Sequence, residues 1–210
     1  MATLRDSSQR VYVVDDDDAM RDSLVWLLES HGLSVEAFPN AEAFLQNSPE
    51  GMRGCLVLDV RMPGMSGLEL HDELVARGSR LPVIFVTGHG DVPMAVSALK
   101  KGATDFIEKP FSDQDMLRLV DQCLEAERGR RAREDERAQR HERLESLTQR
   151  EREVMGLVVA GKPNKLIADE LGISIKTVEV HRARVMSKMA VGSVAELVSA
   201  VLAGRNPEER

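Results

Sequence analysis

The sequence predicts a doubly wound α/β domain with a five-stranded parallel sheet, then a helical linker and a small all-α domain. In the first part of the chain, short β-rich runs alternate with helical patterns. A run of almost wholly charged residues follows, and short helical patterns that start at capping residues complete the chain. Strands that alternate with helices are typical of parallel sheets covered by helices on both faces.

The distribution of charge divides the chain into three parts. Residues 1–123 carry a net charge of −9, residues 124–147 a net charge of 0 and residues 148–210 a net charge of +2, which together give −7. An acidic domain, a charged connector and a mildly basic domain are therefore predicted with these boundaries.

Composition indicates a soluble, cytoplasmic protein. No stretch approaches the about 18 consecutive apolar residues of a membrane span, and the N-terminus MATLRDSSQR lacks the apolar segment of a signal peptide. The two cysteines, Cys55 and Cys123, each lie in an apolar run. We expect both to be reduced core residues and expect no membrane partner.

Five runs of apolar and β-branched residues predict the strands, at residues 11–14, 33–38, 55–60, 82–87 and 103–108. Helical patterns lie between them, and the first helix has apolar residues at Met20, Leu24, Leu27 and Leu28. Ser66 and Glu69 form a capping box, and Asp91 followed by Pro93 predicts the start of another helix.

Polar side chains follow the predicted strands at their carboxyl ends, where ligands bind in sheets of this kind. Three carboxylates placed together repel one another and raise one another's pKa values, which a hard divalent cation such as Mg²⁺ relieves. A carboxylate beside a cation can also accept a phosphoryl group, with an ammonium and a hydroxyl on the phosphate oxygens. The residues concerned are Asp15, Asp16, Asp59, Thr87 and Lys109.

The run VYVVDDDDAM places four aspartates behind a strand. Asp15 and Asp16 are expected to serve the metal, whereas Asp17 and Asp18 fall where the next helix starts and suit its cap and dipole. The four aspartates alone also fit a solvated acidic turn.

The stretches VVDD, VLDVRMPGMSG, FVTGHGD and DFIEKPF resemble the receiver domain of two-component response regulators, with the CheY-like fold, across residues 10–125. The resemblance implies the strand order 2-1-3-4-5 and a sensor histidine kinase that phosphorylates Asp59. It also implies Mg²⁺ held by Asp16, Asp59 and the carbonyl of Arg61, with Asp15 helping through water. Thr87 and Lys109 would bind the phosphoryl group.

The same resemblance matches Phe106 to the switch aromatic of receivers and Lys109-Pro110 to a peptide bond that is usually cis. Taken by itself, Phe106 is better explained as a simple core aromatic. Phosphorylation is expected to pair two receivers through a face formed by the helix at 92–101 and strand 5. That face contains Val92, Val96, Leu99, Lys100 and Asp105.

The connector EAERGRRAREDERAQRHERLESL predicts a helical linker, because pairs such as Glu127 with Arg131 and Glu136 with Arg140 favour a helix. Gly129 weakens its middle, and apolar residues are too few for a coiled-coil seam. Its arginines fit the solvated face of a linker helix, and contact with DNA phosphates is the alternative.

The last part predicts four short helices. Thr148 and Glu151 form a capping box, the helices end at Gly161 and Gly172, and Ser174 and Ser193 open the last two. A helix, a short turn and a longer helix are the helix-turn-helix pattern. The stretches LTQREREVM, GKPNKLIADELGIS and KTVEVHRARVMSKM resemble the LuxR-type DNA-binding domain across residues 144–204, and the domain order resembles the FixJ-like subgroup.

Helical periodicity assigns the faces of the predicted recognition helix at about 100° per residue. The core face contains Ile175, Val178, Val185, Met186 and Met189, and Arg182 lies in its middle, where it is expected to snorkel along the core. The DNA-binding residues are predicted to be Lys176, Thr177, Glu179, Val180, Ala183 and Arg184, with Lys165 and Lys188 on phosphates.

The sequence thus predicts a phosphorylation-activated transcriptional regulator that is not an enzyme beyond the turnover of its own phosphoryl group. Its partners are a sensor histidine kinase, promoter DNA, a second copy of the chain and RNA polymerase. Two other classes stay open. One is a phosphatase-like enzyme with Asp59 as nucleophile, although Arg61 stands where a second catalytic acid is expected. The other is a phosphorelay protein whose C-terminal helices bind protein.

Overall fold

The computed structural model describes residues 9–47, 51–88, 99 and 102–202. The chain forms two compact units, Met1–Arg130 and Arg131–Arg210, and each is described by itself. The helix predicted to start at Asp91 lies outside the described residues.

The N-terminal unit is built on a five-stranded sheet in the described residues. All pairs of neighbouring strands are parallel, and the order is β2-β1-β3-β4-β5. The strands are β1 Arg10–Val14, β2 Val35–Phe38, β3 Gly54–Asp59, β4 Val83–Thr87 and β5 Asp105–Glu108. The predicted fold class and strand order are confirmed.

Successive side chains of each strand point to opposite faces of the sheet and belong to two hydrophobic clusters, one on each face. Val11 and Val13 belong to one cluster, and Tyr12 and Val14 belong to the other. Burial on both faces explains why the central strands are apolar almost throughout. The helices that begin in this unit, among those bounded in the described residues, are α1 Asp18–Ser30, α2 Ala41–Asn47, α3 Gly67–Ala76 and α4 Asp113–Glu145.

Side-chain caps start the helices where the sequence predicts them. The Asp17 carboxylate accepts hydrogen bonds from the amides of Ala19 and Met20, and Asp18 lies in the first turn of α1. Ser66 and Glu69 form the predicted capping box of α3. Two of the four consecutive aspartates therefore stabilise a helix start, and the other two remain for the end of β1.

Helix α4 packs on the sheet through its first half and continues through the predicted linker. Its buried residues end at Glu127, whose carboxylate accepts a 2.7 Å hydrogen bond from the side-chain amide of Gln9. Gln9 also donates to the carbonyl of Leu124 at 2.8 Å. Cys55 and Cys123 are buried free thiols, as expected. Burial raises the pKa of Cys123 to about 11, so the thiol stays protonated at neutral pH.

Four helices make up the described part of the C-terminal unit beyond α4. They are α5 Gln149–Val159, α6 Asn164–Leu171, α7 Ile175–Met189 and α8 Val194–Leu202. The Thr148–Glu151 capping box and the Ser174 cap are present. Gly172 ends α6 in the left-handed conformation, which glycine adopts without steric cost. Helices α6 and α7 form the predicted helix-turn-helix.

No single helix among the described residues is long and apolar enough to cross a membrane. Helices α7 and α8, which are bent by 58° to each other, meet the length and composition criteria only as a pair.

Gly67 allows α3 to start against the end of β3. A Cβ atom at this position would lie 2.0 Å from the carbonyl oxygen of Asp59, whereas a Cβ at Gly129 in α4 would meet no atom within 4 Å. We therefore expect Gly67→Ala to lower the free energy of unfolding of the N-terminal unit by about 1–3 kcal/mol. Gly129→Ala is the matched control and should raise the free energy of unfolding by up to about 1 kcal/mol. Thermal melting followed by circular dichroism measures both, and equal melting temperatures for the two variants would contradict this account.

Candidate functional site

Three carboxylates meet at the carboxyl ends of β1 and β3. One oxygen from each of Asp15, Asp16 and Asp59 lies within 4.8 Å of the other two. Asp15 and Asp59 are 1% and 9% exposed, whereas Asp16 is open to solvent. The cluster arises because β1 and β3 are parallel neighbours, so that their ends lie at the same edge of the sheet.

The Lys109 ammonium links two of these carboxylates. It donates to Asp15 Oδ2 at 3.0 Å and to Asp59 Oδ2 at 2.9 Å. Burial by itself lowers the pKa of Lys109, but its bonds to Asp59 and Asp15 outweigh burial and raise the pKa. Burial also raises the pKa of Asp15, against the amide of Asp17 and the charge of Lys109. The site therefore holds more negative charge than one lysine compensates.

Backbone amides donate to the second oxygen of each of the two buried carboxylates. The amide of Asp17 donates to Asp15 Oδ1 at 2.9 Å, and the amide of Arg61 donates to Asp59 Oδ1 at 3.3 Å. Clustered carboxylate oxygens are the donor set of a hard divalent cation, so the residues fit a metal at this edge. The loop after β3 also brings the backbone of Arg61 to the site.

Thr87 and Phe106 lie on the two strands that follow β3 in the sheet. Thr87 ends β4 and is completely buried, and its hydroxyl donates to the carbonyl of Gly88 at 3.4 Å. Phe106 is half-buried against one of the two hydrophobic clusters. The Lys109-Pro110 peptide bond is cis, as predicted.

The predicted dimer face falls largely on residues outside the described part of the chain, since Val92, Val96 and Lys100 are not described. Leu99 packs against the core. The Asp105 carboxylate accepts a 2.9 Å bond from the amide of Phe106. The structure therefore leaves this face as a prediction.

In the C-terminal unit, α7 buries one face and exposes the other. Val178, Val185 and Met189 are at most 1% exposed, and Met186 packs beside them. The predicted outward residues Lys176, Glu179, Val180, Ala183 and Arg184 are all exposed. Thr177 is half-buried, and its hydroxyl is hydrogen-bonded to Ser174 at 2.8 Å.

The assignment of Ile175 to the core face is wrong, because 46% of its surface is exposed. Ile175 is the first residue of α7. Side chains of a helix lean toward its N-terminus, so the side chain of the first residue extends beyond the helix end. Angular position on the helix alone does not reveal this end effect.

Arg182 lies half-buried between core and surface. It lines a small gap in the core with Val185 and Met186. Its guanidinium Nη1 donates to Asn164 Oδ1 at 2.9 Å, which connects α7 to the first residue of α6. These contacts support the expectation that Arg182 packs along the core.

Lys188 has partners inside the domain that periodicity does not reveal. Its ammonium donates to Glu151 Oε2 at 2.7 Å and to the carbonyl of Ser146 at 2.8 Å. The bond to Lys188, with the amide of Thr148, lowers the pKa of Glu151 to about 2. The capping box identifies Glu151 in the sequence, but nothing in the local sequence pairs it with a lysine 37 residues later.

Comparisons with known proteins identify both units. Residues 11–121 match the family model described as the response regulator receiver domain, and residues 145–201 match that of the bacterial regulatory proteins of the luxR family. The chain belongs to the LuxR-type response regulators. It is therefore a phosphorylation-activated transcriptional regulator rather than a catalytic enzyme, with a histidine kinase and DNA as its partners. The two alternative classes, phosphatase-like enzyme and protein-binding phosphorelay protein, do not fit this family.

Full-length relatives share both domains of this response regulator. It is 54% identical to the transcriptional regulatory protein FixJ of Azorhizobium caulinodans, over 95% of each chain. It is 44% identical to the transcriptional regulatory protein TdiR of Thauera aromatica, over 97% of this chain and 89% of the relative. Among solved structures, the response regulator StyR matches with a TM-score of 0.88 at 45% identity, over 94% of this chain and 100% of that one. Full-length FixJ from B. japonicum matches with a TM-score of 0.61 at 45% identity, over 95% and 98%.

The depressed pKa of Glu151 predicts a pH dependence of stability. A carboxylate whose pKa is lower in the folded state stabilises the fold above its unfolded pKa, and this stability is lost as the pH falls through the folded value. The window is therefore from about 4.5 down to about 2. Glu151→Gln should lower the melting temperature at pH 7, and its deficit relative to the unmodified response regulator should shrink progressively toward pH 2.

Melting temperatures of both proteins at pH 7, 5, 3 and 2 measure this convergence. All other carboxylates are common to the two proteins, so they cancel in the difference. A deficit that stays constant with pH would show that Glu151 acts through packing and not through its charge.

Proposed function

We propose that Asp59 is the phosphoryl acceptor of this response regulator and that its phosphorylation pairs two chains on promoter DNA. The observation that carries the proposal is the position of the Asp59 carboxylate. It ends a central strand, lies beside two further carboxylates and is bonded at 2.9 Å to an ammonium. This arrangement matches the needs of phosphoryl transfer, in which positioning and charge compensation do most of the work.

In the proposed step, a carboxylate oxygen of Asp59 attacks the phosphorus of a phosphohistidine on the kinase. An oxygen–phosphorus bond forms, the nitrogen–phosphorus bond breaks, and the imidazole leaves with the electron pair and takes up a proton from solvent. Lys109 and the hydroxyl of Thr87 would bind the phosphoryl oxygens. Asp15, Asp16, Asp59 and the carbonyl of Arg61 would hold Mg²⁺, which supplies positive charge to the phosphoryl oxygens.

Thr87 and Phe106 are proposed to carry the change to the surface. Both lie on neighbouring parallel strands, since Thr87 ends β4 and Phe106 lies in β5. Movement of the Thr87 hydroxyl toward a phosphoryl group would free space for the half-buried aromatic ring. The surface that responds is the proposed dimer face, formed by Val92, Val96, Leu99, Lys100 and Asp105.

The C-terminal domain is proposed to read DNA with the exposed side of α7. Glu179 can accept from cytosine N4, Val180 can contact a thymine methyl, and Lys176 or Arg184 can reach guanine or phosphate. Thr177 and Ala183 complete this face, and Lys165 is proposed to bind a phosphate. Lys188 is omitted, because its ammonium is engaged within the domain.

We propose that residues 1–123 form the receiver domain, residues 124–147 the linker and residues 148–210 the DNA-binding domain. The family models match 11–121 and 145–201, which supports the order of the domains. Glu127 is buried and bonded to Gln9, so contacts of α4 with the N-terminal part of the chain continue one helical turn past residue 123. We further propose that the protein controls transcription in the cytoplasm and that RNA polymerase is one of its partners.

The acceptor can be tested with a small phosphoryl donor and Mg²⁺. We expect mass spectrometry to show one added phosphoryl group on the unmodified chain and none on Asp59→Asn. Asp18→Asn is the matched control, because it removes an exposed carboxylate of the same acidic run and should keep full labelling. Equal labelling of Asp59→Asn and the unmodified chain would refute the assignment.

Light scattering on the same samples tests the proposed dimer, which requires the mass to double on phosphorylation.

The DNA face can be tested with alanine variants of the phosphorylated chain. Glu179→Ala or Val180→Ala should reduce discrimination between a selected and a scrambled duplex by about 1–3 kcal/mol, with little loss of melting temperature. Arg182→Ala should instead destabilise the domain by about 1.5–3 kcal/mol, because it removes a charged hydrogen bond. If Arg182→Ala kept its melting temperature and lost discrimination, the faces of α7 would have to be exchanged.

A further inference from the structure

Lys188 connects the recognition helix α7 to two other segments of the C-terminal unit. It lies in the last turn of α7, and its ammonium bonds the carbonyl of Ser146, just beyond α4, and the carboxylate of Glu151 in the first turn of α5. The Glu151 side chain is 3% exposed and the Lys188 side chain 35% exposed. The pair is therefore shielded from solvent on the carboxylate side, where an ion pair is stronger than at the surface.

Two arginines reinforce the same junction through backbone carbonyls. Arg143 Nη1 donates to the carbonyl of Met189 at 3.5 Å, and Arg152 Nη2 donates to the carbonyl of Glu145 at 3.0 Å. Both carbonyls lie at helix C-termini, where carbonyl groups have no partner within the helix and the dipole favours cations. The end of α4, the start of α5 and the end of α7 are thus joined by three cationic side chains.

These contacts decide what Lys188 can do for DNA binding. An ammonium has three N–H donors, and two of those of Lys188 are directed to Ser146 and Glu151. Base readout requires side chains of α7 to meet base edges within hydrogen-bond distance, so it depends on the orientation of the whole helix. Arg182 fixes α7 against α6 through Asn164, and Lys188 fixes its C-terminal end.

We propose that Lys188, through Glu151 and Ser146, is a positioning residue for DNA recognition and not a phosphate contact. It holds the C-terminal end of α7 against the end of α4 and the start of α5, and so sets the angle at which Glu179 and Val180 meet the bases. The inference rests on the proposed DNA face of α7.

The experiment measures binding of the full phosphorylated chain to a duplex selected from random sequences by the unmodified chain, and to its scrambled version, over a series of salt concentrations. Lys188→Gln and Glu151→Gln each remove the ion pair, and only the first removes a positive charge. We expect both to lower the specificity ratio by about tenfold or more, with no change in the salt dependence. Lys188→Arg, which can still bond Glu151, should retain most of the ratio.

Lys165→Gln is the comparison for a phosphate contact. It should weaken both duplexes alike and reduce the slope of log affinity against log salt by about 0.9. If Lys188→Gln behaves in this way, Lys188 binds a phosphate and the inference is overturned. It is also overturned if Lys188→Gln or Glu151→Gln lowers the melting temperature but leaves both ratio and slope unchanged, because the pair is then only structural.

Arg143→Gln keeps the test decisive if the Lys188 and Glu151 variants are unfolded at the assay temperature. Arg143 is exposed in α4, so its replacement should leave the fold intact. It should lower the specificity ratio by about threefold at unchanged salt slope, and an unchanged ratio overturns the inference. If the unmodified chain does not distinguish the two duplexes, the failure lies in the proposed DNA face.

Discussion

The bonds from Lys109 to Asp15 and Asp59 are the contacts on which the N-terminal site depends. Three carboxylates within 4.8 Å of one another repel strongly, and two of them are almost completely buried. One ammonium between β5 and the ends of β1 and β3 compensates part of this charge. Because the lysine follows an edge strand and the carboxylates follow central strands, the ion pairs also tie the strand ends together.

The C-terminal domain also contains a buried carboxylate, but there the negative charge is compensated. Its buried carboxylate, Glu151, is satisfied by the backbone of its own helix start and by one lysine. The charge there is fully compensated, and the pKa of Glu151 is lowered to about 2, whereas burial raises that of Asp15. A satisfied carboxylate stabilises a junction. An under-compensated cluster remains able to bind a further cation.

Much of this architecture could be predicted from local sequence signals. The strands and their polar ends follow from short apolar runs, and the caps at Asp17, Ser66, Thr148 and Ser174 follow from residue type and spacing. These features depend on neighbours within a few residues. Contacts between distant segments could not be predicted in this way, such as Gln9 with Glu127 or Lys188 with Glu151. Helical periodicity does not predict the exposure of Ile175, because it treats every position alike and takes no account of the helix ends.

The charge on Asp59 sets a final constraint on the proposed switch. Phosphorylation would replace a carboxylate of charge −1 by an acyl phosphate of roughly −1.5 to −2. Lys109 would then be drawn toward the phosphoryl oxygens, and Asp15, at 1% exposure, would lose part of its compensation. A buried carboxylate without a partner is costly. The amide of Asp17 supplies one fixed hydrogen bond, and the cation proposed at Asp15 and Asp16 would compensate the remaining charge. On this argument the acidic pair Asp15 and Asp16 is needed after the phosphoryl group has arrived as well as during its transfer.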